Sequence, residues 1–151
     1  MKLAFEDYIS IFIHQTDLTL TSYVKSRLAP FNLAPEQNLI MMLLWQKDGL
    51  TQNEIAEKLN KDKTNIARMI FNLEQKGFIR RASREHDRRS LQVFLTEEGK
   101  ELGNRVAAVA EEFNAQICEG ITEQEFAQVR RILSKMCANL ETGIADRSSH
   151  T

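Results

Sequence analysis

A group of polar side chains between Lys63 and Asn72 has the residue types that bind nucleotide bases and phosphates. Apolar residues recur here at three- and four-residue spacings, so a helix that buries them leaves one face polar. Arginine can donate two hydrogen bonds to guanine, asparagine can pair with adenine, and a threonine methyl can touch the methyl of thymine. The predicted polar face consists of Lys63, Thr64, Asn65, Arg68 and Asn72.

A second charged group lies in the sequence SREHDRRS, between two short segments of strand-forming residues at about 78–95. This pattern predicts a hairpin whose tip carries Arg84, Arg88 and Arg89. Arginine is drawn into a narrow minor groove by its negative potential, and a neighbouring carboxylate such as Asp87 can fix the direction of a guanidinium.

Each group also has a plainer interpretation. Polar residues are usual on any solvated helix face, and charged runs are usually mobile loops. Arg80 and Arg81, at the base of the hairpin, suit either phosphate contacts or salt bridges. The order of the elements favours nucleic-acid binding, because a helix beside a basic hairpin can enter the major groove while the hairpin follows the backbone into the minor groove.

The charge of the chain is unevenly distributed. The formal net charge is −1, but residues 61–89 hold nine Lys or Arg against four Asp or Glu, a local charge of +5. Affinity for nucleic acid depends on the field where the phosphates approach, and the sequence therefore predicts a basic face on an acidic body. The apolar fraction of 42% and the charged fraction of 27% are typical of one globular domain.

Helix-capping residues delimit a helix–turn–helix at about 51–76. Thr51 and Glu54 have the spacing of a capping box, and Asp62 is suited to cap the helix that follows the turn. Gly77 is expected to end that second helix in a left-handed conformation.

The flanking segments are predicted to be amphipathic helices. The first spans about 3–29, Pro35 opens the next, and the last two span about 97–118 and 122–142. The apolar stripes of the first and last two exceed what a small winged-helix core can cover. We therefore expect them to pack between the subunits of a homodimer, although packing on the core of the same chain is the alternative. The polar tail at 143–151 is expected to fray.

These segments resemble the winged helix–turn–helix of the multiple-antibiotic-resistance regulator (MarR) family. The matching sequences are TQNEIAEKL, DKTNIARMI, LEQKGFIRR, the DRR of the hairpin and LTEEG, with NLAPEQNLIMMLL upstream. The resemblance covers about the first 140 residues and assigns a domain to 1–142. It implies a mainly α fold with a small β-wing, in which a winged helix–turn–helix DNA-binding domain is flanked by N- and C-terminal dimerisation helices.

The resemblance also implies a function. We expect a sequence-specific DNA-binding transcriptional regulator, namely a homodimeric repressor that binds a palindromic operator in double-stranded DNA and is modulated by a small aromatic or phenolic effector. Arg89 would enter the minor groove, paired with Asp87, and the start of the first helix of the motif could contact phosphate. The predicted DNA-binding residues are Thr51, Gln52, Lys63, Thr64, Asn65, Arg68, Arg84, Asp87, Arg88 and Arg89.

Two features depart from the family pattern. Phe71 stands where a polar residue is common, so it either packs under the wing or is exposed. The peroxide-sensing branch uses a reactive cysteine in the first helix, whereas the two cysteines here are Cys118 and Cys137. Oxidant sensing is therefore not implied by the motif, and buried thiols in a reducing cytoplasm are the simpler interpretation.

The remaining chemistry points away from catalysis. The three histidines, His14, His86 and His150, have no neighbouring ligands at metal spacing, and the sequence contains no phosphate-binding glycine loop or nucleophile motif. We therefore expect neither an enzyme nor a bound metal or cofactor. Weak candidates for an effector pocket are the ring-bearing residues of the first helix, Tyr8, Phe12, His14 and Tyr23, although a packed or surface histidine is the more common case.

We find no signal peptide, and the longest apolar run, 39–45, is far shorter than the ~20 residues of a membrane span, so a cytoplasmic protein is expected without a membrane partner. The alternative function is a winged-helix module that binds protein and not DNA. The basic charge at 61–89 argues against that alternative.

Overall fold

The helix–turn–helix and the wing are each built as the sequence predicts. The computed structural model describes residues 4–84 and 87–148, except for the side chains of 84, 87–90 and 144–148. The helices are α1 (Ile9–Leu28), α2 (Pro35–Gln46), α3 (Gln52–Leu59), α4 (Lys63–Gln75), α5 (Glu97–Ile117) and α6 (Glu123–Ser148). The strands are β1 (Leu50–Thr51), β2 (Ile79–Arg84) and β3 (Asp87–Leu95). Short 3-10 turns at Phe5–Asp7 and Ala29–Phe31 flank α1.

The chain divides into two compact units, Met1–Asn114 and Ala115–Thr151. In the first unit, α2, α3, α4, the sheet and α5 turn their apolar faces to a common core, as the helical spacing predicts. The largest fully buried side chains of this core are Leu28, Ile40, Met41, Leu44, Ile55, Ile66, Ile70, Leu73, Ile79, Val93, Leu102 and Val106.

The three strands form an antiparallel sheet in the order β1–β3–β2. Leu50 lies opposite Val93, and Ile79 lies opposite Leu95. The residue pattern predicts β2 and β3 but not β1, because a two-residue strand is too short to show an alternating pattern. β1 ties the start of the helix–turn–helix to the wing, since it pairs with β3 directly before α3 begins.

The predicted caps are present around α3 and α4. Thr51 Oγ1 accepts a hydrogen bond from the backbone N–H of Glu54 at 3.1 Å, and Glu54 Oε1 accepts one from the N–H of Thr51 at 3.3 Å. Asp62 accepts from the N–H of Asn65 at 2.7 Å. After α4, Gly77 has φ +84° and Phe78 N donates to Leu73 O, which completes a Schellman ending.

A close approach fixes the start of α5 against the rest of the first unit. A Cβ added at Gly99 would lie 2.1 Å from the backbone oxygen of Phe78, so only glycine fits there. The indole N–H of Trp45 donates to Gly99 O at 2.9 Å, and the hydroxyl of Thr96 donates to Gly77 O at 2.6 Å. The end of α4, the start of the wing and α5 are thus held together by short contacts.

The second unit is dominated by α6, and Thr122 caps it through a hydrogen bond from Glu125 N at 3.1 Å. The helix continues to Ser148, beyond the predicted end at 142. Gly143 does not stop it, since one glycine inside a helix costs only ~1 kcal/mol and has helix-forming neighbours here. In the described part of the chain, no helix is both long and apolar enough to cross a membrane.

Candidate nucleic-acid interface

The polar face predicted for α4 is exposed in the structure. Ile66, Met69, Ile70 and Leu73 are buried in the core, which fixes the rotation of the helix about its axis. The opposite side is therefore presented to solvent. On that side Lys63, Thr64, Arg68 and Asn72 are exposed, and Asn65 is half-buried.

Two of the predicted base-reading residues contact each other. Arg68 Nη2 donates a hydrogen bond to Asn65 Oδ1 at 2.7 Å, one helical turn away. Asp62, Thr64, Asn65 and Arg68 together line a shallow cleft of about 300 Å³ at the start of α4. The pair presents amide and guanidinium N–H groups side by side, an arrangement suited to the acceptor-rich edges of bases.

Phe71 is exposed on α4. Its residue surface is 48% accessible, and it is not among the half-buried apolar residues that pack on the core. It lies on the same outward side of α4 as Thr64 and Arg68. Of the two alternatives left open by the sequence, the exposed position is the one observed.

At the start of α3, the side chains of Thr51 and Gln52 are engaged or enclosed, and their phosphate contact stays a prediction. The Thr51 residue is only 6% exposed, and its hydroxyl donates to Glu54 Oε1 at 3.0 Å while it accepts from Glu54 N. Its side chain is thus engaged in the cap. Gln52 is half-buried, and its Oε1 atom is enclosed without a hydrogen-bond partner among the described atoms.

The base of the wing is fastened to α4 by an ion pair that the sequence reading did not identify. Arg81 Nη2 lies 2.9 Å from Glu74 Oε1, and the backbone N–H of Arg81 donates to Glu74 Oε2 at 3.0 Å. The hydrogen bonds from Arg81 hold the pKa of the Glu74 carboxyl below its usual value, against the opposing effect of burial. The sequence leaves two roles open for Arg81, a phosphate contact or a salt bridge, and the structure shows the salt bridge.

Other cations of the basic segment also have structural partners. Arg80 stacks over the ring of Phe94, with 4.7 Å between the guanidinium carbon and the ring centre. Lys61 forms an ion pair with Glu36 at 2.8 Å. The Lys76 ammonium donates to two acceptors of the first unit, and burial lowers its pKa. The local charge of +5 therefore overstates the charge that is free to meet phosphates.

The predicted minor-groove residues lie at the far end of the hairpin. The backbones of Arg84, Asp87, Arg88 and Arg89 belong to β2 and β3, and Arg84 lies opposite Asp87 in the ladder. The side chains of these four residues lie outside the described part of the structure, as do Glu85 and His86. Their roles remain predictions from the sequence.

Two cavities lie beside α2 and α5 in the first unit, one against the end of β3 and the other against α1. One has a volume of about 530 Å³ and is lined by Met42, Trp45 and Lys100 among others. The other has a volume of about 770 Å³ and includes Leu20 and Phe113. Both share Asn38, which is 4% exposed and whose Oδ1 has no hydrogen-bond partner among the described atoms.

The effector candidates named from the sequence are placed elsewhere. Phe12 lines a shallow cleft of about 240 Å³ on α1. Tyr8, His14 and Tyr23 line neither of the two larger cavities. The sequence pattern selects rings of a single helix, whereas both cavities are formed by α2 and α5, with the end of β3 at one and α1 at the other.

The two thiols lie far along the chain from α1. Cys118 follows the end of α5 and is half-buried, and Cys137 is exposed on α6. Both are free. Among the residues that the structure describes, no group of three His, Cys, Asp or Glu side chains is placed to hold a metal ion.

Comparison with known proteins agrees with the predicted fold. The MarR family model matches residues 33–91, which include α2, the helix–turn–helix and most of the wing. In the crystal structure of the Staphylococcus aureus MepR–DNA complex, the matching chain has a TM-score of 0.80 and 26% identity, with 87% of this chain and 98% of that chain covered. The predicted winged-helix fold is confirmed.

Two Bacillus subtilis proteins are similar over most of their length. The organic hydroperoxide resistance transcriptional regulator is 28% identical over 142 residues, which cover 94% of this chain and 92% of the relative. The transcriptional repressor MdtR is 30% identical over 110 residues, which cover 73% of this chain and 71% of the relative. The protein is thus a regulator and not an enzyme, and the chain belongs to the MarR family of transcriptional regulators.

Proposed function

We propose that this protein is a homodimeric repressor that binds a palindromic operator in double-stranded DNA and is released by a small-molecule effector. The observation that carries the proposal is the outward face of α4, where Thr64, Asn65 and Arg68 are presented together beside the two-stranded wing. A helix fixed in this way can enter the major groove while the hairpin reaches the neighbouring minor groove.

The fixed position of the wing supports DNA binding. The ion pair between Glu74 and Arg81 joins α4 to β2, and β1 joins the start of α3 to β3. The proposed recognition helix, α4, is therefore joined directly to the wing, and these contacts favour a fixed separation between the two before DNA arrives. A preorganised surface loses less conformational entropy on binding than two independent segments would.

Exposed apolar residues at both ends of the chain support a dimer. On α1 and the turn before it, large apolar side chains are exposed at Phe5, Ile9 and Phe12. On α6, the exposed residues Phe126, Val129, Leu133 and Leu140 follow helical spacing. Exposed apolar stripes of this kind are covered in stable proteins by a partner, and a second copy of the chain is the simplest partner.

The test of DNA binding is a titration against two duplexes. Fluorescence anisotropy would be measured with the DNA upstream of the protein's own coding sequence and with a scrambled duplex, at several salt concentrations. We expect a preference of about 10³-fold or more for the upstream duplex, and an affinity that falls as salt rises. Equal, negligible affinity for both duplexes would instead favour the protein-binding module.

The proposed effector site is the 530 Å³ cavity beside Trp45. Its volume lies in the usual range for small-molecule sites, and Asn38 and Lys100 supply polar groups to a mostly apolar wall. Trp45 is the one tryptophan of the chain, so all tryptophan fluorescence comes from a residue in the wall of this cavity.

The effector test uses phenols and small aromatic acids as ligands. We expect an effective ligand to change Trp45 fluorescence and to release the operator duplex at similar concentrations. Ala107 also lines the cavity, and Ala107→Phe should fill part of it and abolish the fluorescence response while the protein still binds DNA. Release of DNA that persists in Ala107→Phe would place the effector elsewhere.

A further inference from the structure

The side chain of Phe71 is an apolar group placed at the centre of a polar surface. Four successive turns of α4 present Thr64, Arg68, Phe71 and Gln75 on the side opposite to the buried stripe. Phe71 is 48% exposed in this position. A large aromatic side chain on the face proposed to contact DNA offers an apolar contact between polar ones, and an apolar group of the partner would complement it.

The charge around Phe71 restricts what that occupant can be. The single acidic residue of α4 is Glu74, and its carboxylate is engaged by Arg81 at 2.9 Å. Within α4, the outward residues on either side of Phe71, namely Arg68 and Gln75, are therefore neutral or positive. The complementary partner is negative at its edges and apolar at the point that meets Phe71.

A major groove rich in thymine has these properties. Its rims are phosphates, and each thymine presents a C5-methyl group on the floor of the groove. Phe71 lies seven residues beyond Thr64, about 10 Å along the helix axis, which corresponds to roughly three base-pair steps. A protein that covered Phe71 would also cover Arg68 and Thr64, and it would compete with DNA for the same surface.

We propose that Phe71 reads thymine by packing its ring against a C5-methyl group in the major groove. This proposal rests on the proposed DNA-binding function, and it adds a specificity residue that the polar face does not supply. Replacing thymine by uracil removes the methyl group and leaves every hydrogen-bonding atom of the base in place. The predicted contact can therefore be tested on the DNA as well as on the protein.

The probe is a duplex selected from a random library by the unmodified protein, then prepared with each thymine in turn replaced by uracil. We expect at least one position at which uracil weakens binding about fourfold, the effect of withdrawing one buried methyl-sized group. At that position Phe71→Ala should bind the thymine and uracil duplexes equally, whereas Phe71→Leu should retain part of the difference.

Two control variants separate Phe71 from its neighbours. Thr64→Ser removes the other methyl of this face that can touch thymine, and it should leave the discrimination at the Phe71 position intact. Gln75→Ala, one turn further along, should also leave it intact. Circular dichroism and molecular mass should be unchanged in Phe71→Ala, because a half-exposed ring that does not pack on the core contributes little to folding.

The outcomes are distinguishable. The proposal is supported if one thymine position loses its methyl preference in Phe71→Ala and keeps it in Thr64→Ser. It is overturned, with the proposed function intact, if the protein binds the selected duplex but no position behaves in this way. A protein that selects and binds no duplex overturns both.

Discussion

Lys63 and Arg68 are both exposed cations of α4, but their positions suit different parts of DNA. Lys63 is the first residue of the helix, whereas Arg68 lies in the second turn with its guanidinium held 2.7 Å from Asn65 Oδ1. A lysine ammonium acts as a point charge towards phosphate, which carries little sequence information. A guanidinium held in a fixed direction can instead form paired hydrogen bonds with guanine.

Substitution should therefore distinguish the contribution of Arg68 to sequence specificity from the contribution of Lys63 to overall affinity. Arg68→Ala should reduce the discrimination between operator and scrambled duplex by ~1–3 kcal/mol. Lys63→Ala should weaken binding to both duplexes equally and lower the slope of affinity against salt by about one. The measurement is a titration of each variant against both duplexes at several salt concentrations. An unchanged specificity ratio in Arg68→Ala would mean that α4 is positioned by shape and phosphates alone.

Arg89 is expected to matter more for DNA affinity than for folding. Its backbone lies in β3 close to the tip of the hairpin, remote from the buried residues of the core, and its role is the minor-groove contact predicted from the sequence. Arg89→Ala should weaken operator binding strongly, and Asp87→Ala should weaken it less, because the carboxylate only directs the guanidinium. Thermal unfolding and molecular mass serve as controls and should not change. If Arg89→Ala bound the operator with full affinity, the predicted minor-groove contact would be wrong.

At the scale of elements, the Glu74–Arg81 ion pair determines how α4 and the wing are joined. The carboxylate binds both the guanidinium and the backbone N–H of Arg81, with less than a third of either side chain exposed. A depressed carboxyl pKa means that the charged form is more stable in the folded protein than in the unfolded chain. This stabilisation is present above the unfolded pKa, near 4.5, and is lost as the pH falls through the lower folded pKa.

Glu74→Gln should accordingly make the free energy of unfolding less dependent on pH in the acidic range. At pH 7 we expect a loss of about 1 kcal/mol in the free energy of unfolding, and a smaller difference from the unmodified protein as the pH falls below 4.5. Urea unfolding at a series of pH values provides the measurement. Glu97→Gln is the matched control, because Glu97 is 94% exposed and its ion pair with Lys100 spans 3.5 Å. An equal pH dependence in both variants would contradict the assignment.

The local elements could be predicted from the sequence because their signals are local. Thr51 with Glu54, Asp62 and Gly77 act within three or four residues of their own position, and each has the predicted role. The rotation of α4 also follows from the spacing of its buried residues, which is why its outward face could be named correctly.

Features that depend on tertiary contacts could not be predicted in the same way. Glu74 and Arg81 are separated by the turn at the end of α4, and their pairing depends on how β2 leaves that turn. The larger cavities arise where α2 and α5 meet, with α1 forming part of only one of them, so rings on α1 do not locate them.

At the scale of the whole molecule, the distribution of apolar surface supports the proposed dimer. The first unit buries a full core, whereas every described residue of α6 up to Thr142 is exposed apart from Met136, which is half-buried. Leu140, the most exposed of the large apolar side chains of α6, has 70% of its residue surface accessible. A helix of 26 residues gains most of its stability from packing of its apolar face. An isolated chain offers little such packing to α6.

Dimerisation through α6 should be disrupted by a charge on its apolar stripe. Light scattering at micromolar concentration should give about twice the chain mass of 17.4 kDa for the unmodified protein. Leu133→Glu should reduce this mass towards that of one chain and weaken operator binding, because a buried carboxylate without a partner opposes association. Ala138→Glu adds the same charge on the opposite side of the helix and should remain dimeric. A monomeric unmodified protein, or equal dissociation in the two variants, would exclude this interface and the paired recognition helices that depend on it.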